Sequence, residues 1–375
     1  LTLSNENSIA RNNSTNLFNI HVTLRSGLGC TQPIELHLQL SSFRVLPFHL
    51  PFSIILTKVV PAAEGVALQL QHILGNVYYL PGASNIGLII GEGQRAILID
   101  TGVGQRSGRQ LLELLQQQGL TLSAILNTHC HGDHVGGNAY LVEHTGAQVY
   151  APVYDAVVLQ YPVWGAMCMF NGADPLDELR VPRFAAQPCT ADVLVTEGTL
   201  EIAGVRVQVV PLPGHTGTHT GYIILDNSSG DGANKVFFTG DILAGEEELA
   251  NMAIPYAYSV TKRLESLEKL KRYSCAYYVL GHGRLQRDIA TLIKRNIAQV
   301  QDVLNFIKAY LTQPAEANEL LSAVCAHYRI EIRTVKQYYL LHPTLYAFLS
   351  HLSNSGAIKY EIKDNRLLWH ASERK

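Results

Sequence analysis

Charge is scarce in this sequence. Only 16 % of its 375 residues are Asp, Glu, Lys or Arg, and the formal net charge is -2. That balance excludes a disordered polyelectrolyte and argues against a strongly nucleic-acid-seeking surface. Cysteine is also sparse, and the six present, at positions 30, 130, 168, 189, 275 and 325, have no paired spacing. A disulfide framework is therefore excluded, and the thiols are read as free in a reducing cytoplasm. Long apolar runs are missing as well. The densest, residues 43–56, is interrupted by Pro47, His49 and Pro51 and is too short to cross a bilayer. Upstream, residues 4–16 are a polar run of Asn and Ser. Residues 1–65 are accordingly expected to be a poorly ordered N-terminal extension. Arg44, the apolar run and Val60 to Ala63 have a signal-peptide-like composition, but they lie far from the first residue and follow no Met. With 47 % apolar residues the remainder can bury a sizeable core, enough for one large domain with an appendage or for two to three domains.

Histidine, by contrast, is concentrated. Residues 127–137 place His129, His131, Asp133 and His134 within a six-residue window, after an apolar strand-like stretch at 122–126. Two residues apart in an extended segment, His129 and His131 point the same way. Gly132 lets the loop turn so that Asp133 and His134 face a neighbouring position. Imidazole with carboxylate suits zinc, with iron or manganese open. Loop histidines are commonly just polar surface, but here partners follow in order. His215 comes after the strand-like 205–210, Asp241 ends the apolar run 236–240, and His282 follows 277–280. Each lies at the C-terminal end of a strand, which gathers them at one sheet edge.

The series His-x-His-x-Asp-His, a lone His, an Asp and a last His resembles the metallo-β-lactamase superfamily over roughly residues 66–296. The resemblance implies an α+β fold, an αββα sandwich, with a two-metal site. His129, His131 and His215 would hold one ion, Asp133, His134 and His282 the second, and Asp241 would bridge them. An aspartate in the Asp241 position points to a glyoxalase II-like or nuclease-like branch rather than to true β-lactamases. Asp133 and Asp241 become the candidate catalytic carboxylates, and two divalent ions, zinc first, the implied cofactors. His219, four residues after His215, is read as touching the ligands, and Cys130 as filling the loop.

Around the motif, 77–80, 86–90 and 96–99 alternate with Gly, Asn and Pro turns as hairpin strands do, and 66–70 is expected to be a further strand. Asp100-Thr-Gly102 resembles a turn that many superfamily members carry beneath the metals. Helices are expected over 107–118, 138–145, 262–273 and 287–311, with a strand at 148–150. Residues 151–188 exceed a plain connection and gather Tyr154, Tyr161, Trp164, Met167, Met169 and Phe170. Such a segment is either a lid or a peripheral helix pair. Tyr161, Trp164, Met167, Phe170 and His219 are the candidate substrate-pocket residues.

The metallo-β-lactamase domain is thus expected at 66–311 and a winged-helix-like domain at 315–375, with helices at 316–327, 333–341 and 343–353 and a hairpin over 356–369. Winged helices often read DNA with the third helix, yet 343–353 carries no Arg or Lys. Nucleic acid is an allowed partner but not the favoured one, and a packing or dimerisation role fits that helix as well. The leading expectation is hydrolysis of a small ester, thioester or lactone. No compact Lys and Arg cluster follows His282, which argues against glutathione as the acyl carrier. A metal-dependent endoribonuclease or phosphodiesterase is the alternative, and a mononuclear iron dioxygenase of the same superfamily is a further one.

Overall fold

Most strands of this chain are apolar on both faces, so each sheet must be covered twice. The computed structural model describes residues 69–225 and 235–372, which lie in one compact unit. The expectations for residues 1–65, and for a strand beginning at residue 66, fall outside the described residues.

The first sheet starts as a meander of β1 (Gln71–Leu74), β2 (Val77–Leu80), β3 (Ile86–Ile90) and β4 (Arg95–Ile99). Helix α1 (Gly104–Gln117) then crosses so that β5 (Thr121–Leu126) pairs parallel to β4. After α2 (Gly132–Val135) and α3 (Asn138–Thr145), β6 (Gln148–Pro152) extends the parallel half. Helices α4 (Val153–Gln160) and α5 (Val163–Met169) precede the edge strand β7 (Val193–Val195). The second sheet is antiparallel through β8 (Gly198–Ile202), β9 (Val205–Pro211), β10 (Thr220–Leu225) and β11 (Lys235–Gly240). Helices α6 (Glu246–Asn251) and α7 (Val260–Leu270) lead to β12 (Tyr277–Leu280), parallel to β11.

Side-chain alternation sets the layers. Ile97 and Ile99 of β4 face Val207 and Val209 of β9 and Tyr222 and Ile224 of β10 in the central core. Their neighbours Ala96 and Leu98 turn outward against Leu111 and Leu115 of α1. On the other sheet Ile223 and Phe237 turn outward against Leu267 and Leu270 of α7 and Leu292 and Ile293 of α8 (Ala290–Tyr310). The result is the expected αββα sandwich.

The chain continues through α9 (Ala317–His327), α10 (Val335–Asn354) and a hairpin of β13 (Ile358–Lys363) and β14 (Arg366–Ala371). Its two-residue turn puts Asp364 and Asn365 at φ 51° and 61°, as a tight hairpin turn requires. Where separate helices over 333–341 and 343–353 are expected from the sequence, the structure has the single helix α10. Pro343 lies inside it rather than at a first turn. Proline removes the N–H that would reach the Tyr339 carbonyl, and in a helix interior this costs about 3 kcal/mol. Burial of Leu345, Phe348, Leu349 and Leu352 in one cluster with Val300, Val303, Leu304 and Ile307 of α8 offsets that loss. Thr334 starts the helix, its hydroxyl accepting from the Gln337 N–H at 3.2 Å.

Helix α8 therefore belongs to two cores, one beneath the second sheet and one shared with α9 and α10. The five cysteines among the described residues are free thiols. Among those residues no helix is long and apolar enough to cross a membrane.

Candidate metal centre

Four loops and the short helix α2, at one edge of the sandwich, carry the seven residues singled out in the sequence. His129 and His131 lie in the loop after β5, Asp133 and His134 in α2, His215 between β9 and β10, Asp241 directly after β11 and His282 one residue beyond the end of β12, after Gly281. The structure brings all seven together. His131 Nδ1 lies 3.0 Å from both His129 Nε2 and His215 Nε2. His134 Nε2 is 3.4 Å from His282 Nε2, and His282 Nε2 is 3.8 Å from Asp133 Oδ2. Asp241 stands between the groups. Its Oδ2 is 3.5 Å from His215 Nε2 and 3.2 Å from His282 Nε2, and its Oδ1 is 3.3 Å from His134 Nε2.

Two glycines permit this crowding. A Cβ on Gly132 would sit 1.9 Å from the Pro182 carbonyl, and one on Gly281 would sit 1.8 Å from Asp241 Oδ1. Other backbone ties hold the loops. The Asn85 N–H donates to the Gly281 carbonyl at 2.7 Å, and the Ser84 hydroxyl donates to the Asp133 carbonyl.

The outward nitrogens are occupied by the protein. Thr128 Oγ1 donates to Asp100 Oδ2 at 2.7 Å, so His129 Nδ1, 3.0 Å from that hydroxyl, must be the donor in their contact. The His134 Nδ1–H donates to Asp100 Oδ2 at 2.8 Å, and the His282 Nδ1–H donates to the Ala83 carbonyl. Each inner Nε2 is thereby free for a cation. Asp100 occupies the place its sequence suggested, beneath the site, at φ 60°.

The donor set fits divalent cations. Imidazole nitrogens converge on one another and on a carboxylate whose buried Oδ1 has no hydrogen-bond partner. Without a cation, charge compensation falls to protons. Burial alone would lower the pKa of His134, but Asp241 and Asp100 outweigh it and hold it well above the ordinary value. The same contest, decided by Asp241, brings His282 up to about 9. Burial dominates at His129, His131 and His215 and pushes all three down. At Asp241 burial is outweighed by His134, which holds the carboxyl well below its usual range. Cation binding displaces such protons.

His219 is fully buried and lies behind the ligands. Its Nε2 accepts the Asp241 N–H at 3.1 Å, and burial lowers its pKa to about 4. The other pocket candidates are spread along the 151–188 segment, which contains the helix pair α4 and α5. Tyr161 lines a cavity of about 360 Å³ with Gln160, Pro162, Val163, Ala166, Arg180, Ala185, Ala186 and Pro188. Trp164 is half exposed, and Phe170 packs edge-on to Tyr339 of α10 with centroids 4.9 Å apart. Met167 and Trp164 are not among the cavity's lining residues.

Several residues around the centre carried no sequence signal. Tyr256 sets its ring edge-on to His131 and His215, at 5.4 and 5.2 Å, and burial raises its hydroxyl pKa. Asp155 accepts from the Cys130 N–H at 2.9 Å and from the Thr218 hydroxyl at 2.6 Å, tying the His129 and His215 loops together. Arg183 reaches to 3.5 Å from Asp133 Oδ2. Buried Arg263 spans the Asp241 and Tyr256 carbonyls, at 3.5 and 3.4 Å, and burial lowers its pKa to about 10. Tyr256 comes from an irregular loop and Arg263 from the hidden face of α7, where neither pattern nor spacing distinguishes them.

Comparison with known proteins bears on the family. The profile of the metallo-beta-lactamase superfamily matches residues 79–282. An atrochrysone carboxyl ACP thioesterase from Passalora fulva is 21% identical over 75% of this chain and 74% of its own length. A hydroxyacylglutathione hydrolase from Synechococcus sp. (strain WH7803) is 28% identical over 59% of this chain and 75% of its own. Among solved structures, a beta-lactamase domain protein from Burkholderia ambifaria superposes with a TM-score of 0.63 at 18% identity, covering 83% of this chain and 96% of that one. The profile match takes in six of the seven convergent residues before ending on the seventh, and the sandwich around them is that of the solved neighbour, so the chain belongs to the metallo-beta-lactamase superfamily, as a hydrolase of that fold.

Proposed function

We propose that the protein is a dinuclear metal hydrolase of small ester, thioester or lactone carbonyls, with thioesters foremost and zinc as the metal. The carrying observation is the position of Asp241, whose Oδ2 lies within 3.5 Å of an imidazole of each ligand group, His215 and His282, while its Oδ1 faces His134. His129, His131 and His215 would hold one ion and Asp133, His134 and His282 the other, with Asp241 shared. Bound there, two divalent cations supply an activated water near neutral pH and polarise a carbonyl oxygen.

The chain's own groups then orient and neutralise. Asp133 and Asp241 would offset the dications' charge, while Asp100 and Thr128 fix the tautomers of His134 and His129. Tyr256, with its raised pKa, stays protonated as a hydrogen-bond donor beside His131 and His215. In a thioester the acyl–sulfur bond breaks, water adds its oxygen to the acyl carbon, and acid and thiol are the products. A thiolate, of pKa about 8.5, leaves without prior protonation, which suits a centre built around metal ligands. Of the relatives named above, one is a thioesterase by title and the other a hydroxyacylglutathione hydrolase, which supports the same ranking.

Two features of the C-terminal segment favour the acyl reading over RNA cleavage. Leu345, Phe348, Leu349 and Leu352 of α10 are buried, and Arg366 of the hairpin is paired with Glu316 and Glu319. The test is a zinc-loaded preparation given a thioester and lactone panel beside single-stranded RNA over a salt series. Turnover of the acyl panel that survives moderate salt is expected. RNA binding that falls steeply with salt, with cleavage abolished by Asp241→Ala and an inert acyl panel, would reverse the assignment. One bound iron with oxygen consumed on a persulfide would reverse it too.

A further inference from the structure

The cavity beside Tyr161 shares both its walls with the metal centre. Helix α4 forms one. In its first turn Asp155 holds the Cys130 N–H and the Thr218 hydroxyl, and at its far end Gln160 and Tyr161 line the cavity. Six residues at a rise of about 1.5 Å separate these ends by about 9 Å. Along the same helix Tyr154, Val157 and Tyr161, at helical spacing, are exposed apolar side chains. The segment 180–188 forms the other wall. Arg180, Ala185 and Ala186 line the cavity. Between them in sequence, the Arg183 carbonyl accepts the Gly132 N–H at 3.1 Å, and its guanidinium comes to 3.5 Å from Asp133 Oδ2. Cys189 closes the two walls, its N–H donating to the Leu159 carbonyl at 3.0 Å.

The chemistry of the cavity selects its occupant. Its walls are overwhelmingly apolar, and the one charged lining residue, Arg180, is held by Asp174 at 2.5 Å and Asp177 at 3.8 Å. An anionic group would meet a cation already paired and would lose its hydration without compensation. About 360 Å³ is also the size at which pockets begin to hold a substantial apolar group. We infer that this cavity binds the far end of an apolar acyl chain whose carbonyl lies at the metal centre, so that the substrates are esters or thioesters of medium-length or bulky apolar acids. This rests on the hydrolase reading above and narrows it to one substrate class. An extended chain advances roughly 1.3 Å per carbon for C–C bonds of about 1.5 Å. About seven carbons therefore span the length of α4 between Asp155, which anchors the His129 loop, and the cavity, and shorter acyl groups end before it.

The experiment is a series of N-acetylcysteamine thioesters, from acetyl to decanoyl, assayed with the zinc-loaded full chain. Specificity, kcat/KM, should change little up to hexanoyl and then rise by about fourfold for each methylene that enters the cavity. Ala185→Trp, which fills the cavity from a half-buried position, should bring the decanoyl-to-hexanoyl ratio down at least tenfold. Tyr161→Ser, which removes a wall, provides a second variant should the first fold poorly. A flat wild-type series, or a ratio unmoved in a folded variant, overturns the inference. If no thioester is turned over, the hydrolase reading fails, and the cavity is then judged by decanoate titration. Saturable binding weakened at least tenfold by Ala185→Trp supports it, and absence of binding overturns it.

Discussion

Replacing Asp100 by Asn separates a metal centre from an accidental crowd of histidines. The carboxylate is buried and accepts three hydrogen bonds, from the Thr128 N–H at 2.8 Å, the Thr128 hydroxyl at 2.7 Å and the His134 Nδ1–H at 2.8 Å. Asparagine has the same shape but must offer an NH2 on one side. Turned toward the Thr128 N–H, it sets two donors against each other. Turned the other way, it faces His134 Nδ1 and drives that imidazole to the tautomer with its proton on Nε2, the nitrogen meant for the cation. Loss of such an orienting partner weakens metal affinity by about 10- to 100-fold, or about 1.4 to 2.7 kcal/mol. The damage should be local. Of the two ions proposed for the wild type, the one that Asp133, His134 and His282 would hold should be lost first to a competing chelator. The ion held by His129, His131 and His215 should persist, because Thr128 still faces His129. The assay is zinc release against a chromophoric chelator, with far-UV circular dichroism to show that the sandwich is intact. Wild-type affinity at both sites in a folded Asp100→Asn protein would refute the reasoning.

Asp241→Ala should lower turnover by about a hundredfold or more and leave elemental analysis near one ion per chain, whereas His219→Ala should retain two. The buried His219 also sets a pH dependence. Its folded pKa of about 4 lies below the unfolded value of about 6.5, so the unfolded chain binds the extra proton between them. The stability involved is fully present above about pH 6.5 and declines toward pH 4, by about 3 kcal/mol at most. Urea unfolding of metal-free wild type and His219→Gln across that window should show the wild type losing more stability on acidification, and parallel profiles would contradict it. Pro343→Ala should raise the denaturation midpoint by about 1 to 3 kcal/mol equivalent, since it restores the N–H that the Tyr339 carbonyl lacks.

The candidate metal centre was legible in the sequence for a physical reason. Ligands that converge must be carried by strand ends, and His129, His215, Asp241 and His282 each follow an apolar stretch of strand length. The layers were legible too, because apolar residues on both faces leave a sheet nowhere to go but the middle of a sandwich. Local pattern misled at Pro343, where proline reads as a helix start although tertiary burial on both sides holds one helix together. It could not show that Phe170 meets Tyr339, or that Arg183 meets Asp133, since both contacts join segments far apart in the chain.

The spread of the ligands along the chain governs when they can act. Four of them, His129, His131, Asp133 and His134, occur within one hexapeptide, so even a nascent or unfolded chain can catch an ion there. The other three arrive only when β9, β11 and β12 have paired, between about 80 and 150 residues later. Because the unfolded chain already competes for the ion, added zinc will raise the melting temperature less than its affinity for the finished site implies. The share it does contribute comes from His215, Asp241 and His282, and it is realised only once the second sheet has closed over the first. A zinc ion held early by the hexapeptide would thus wait through most of folding before it becomes hard to remove, and the rate of its exchange with a chelator during refolding would time the closure of the sandwich.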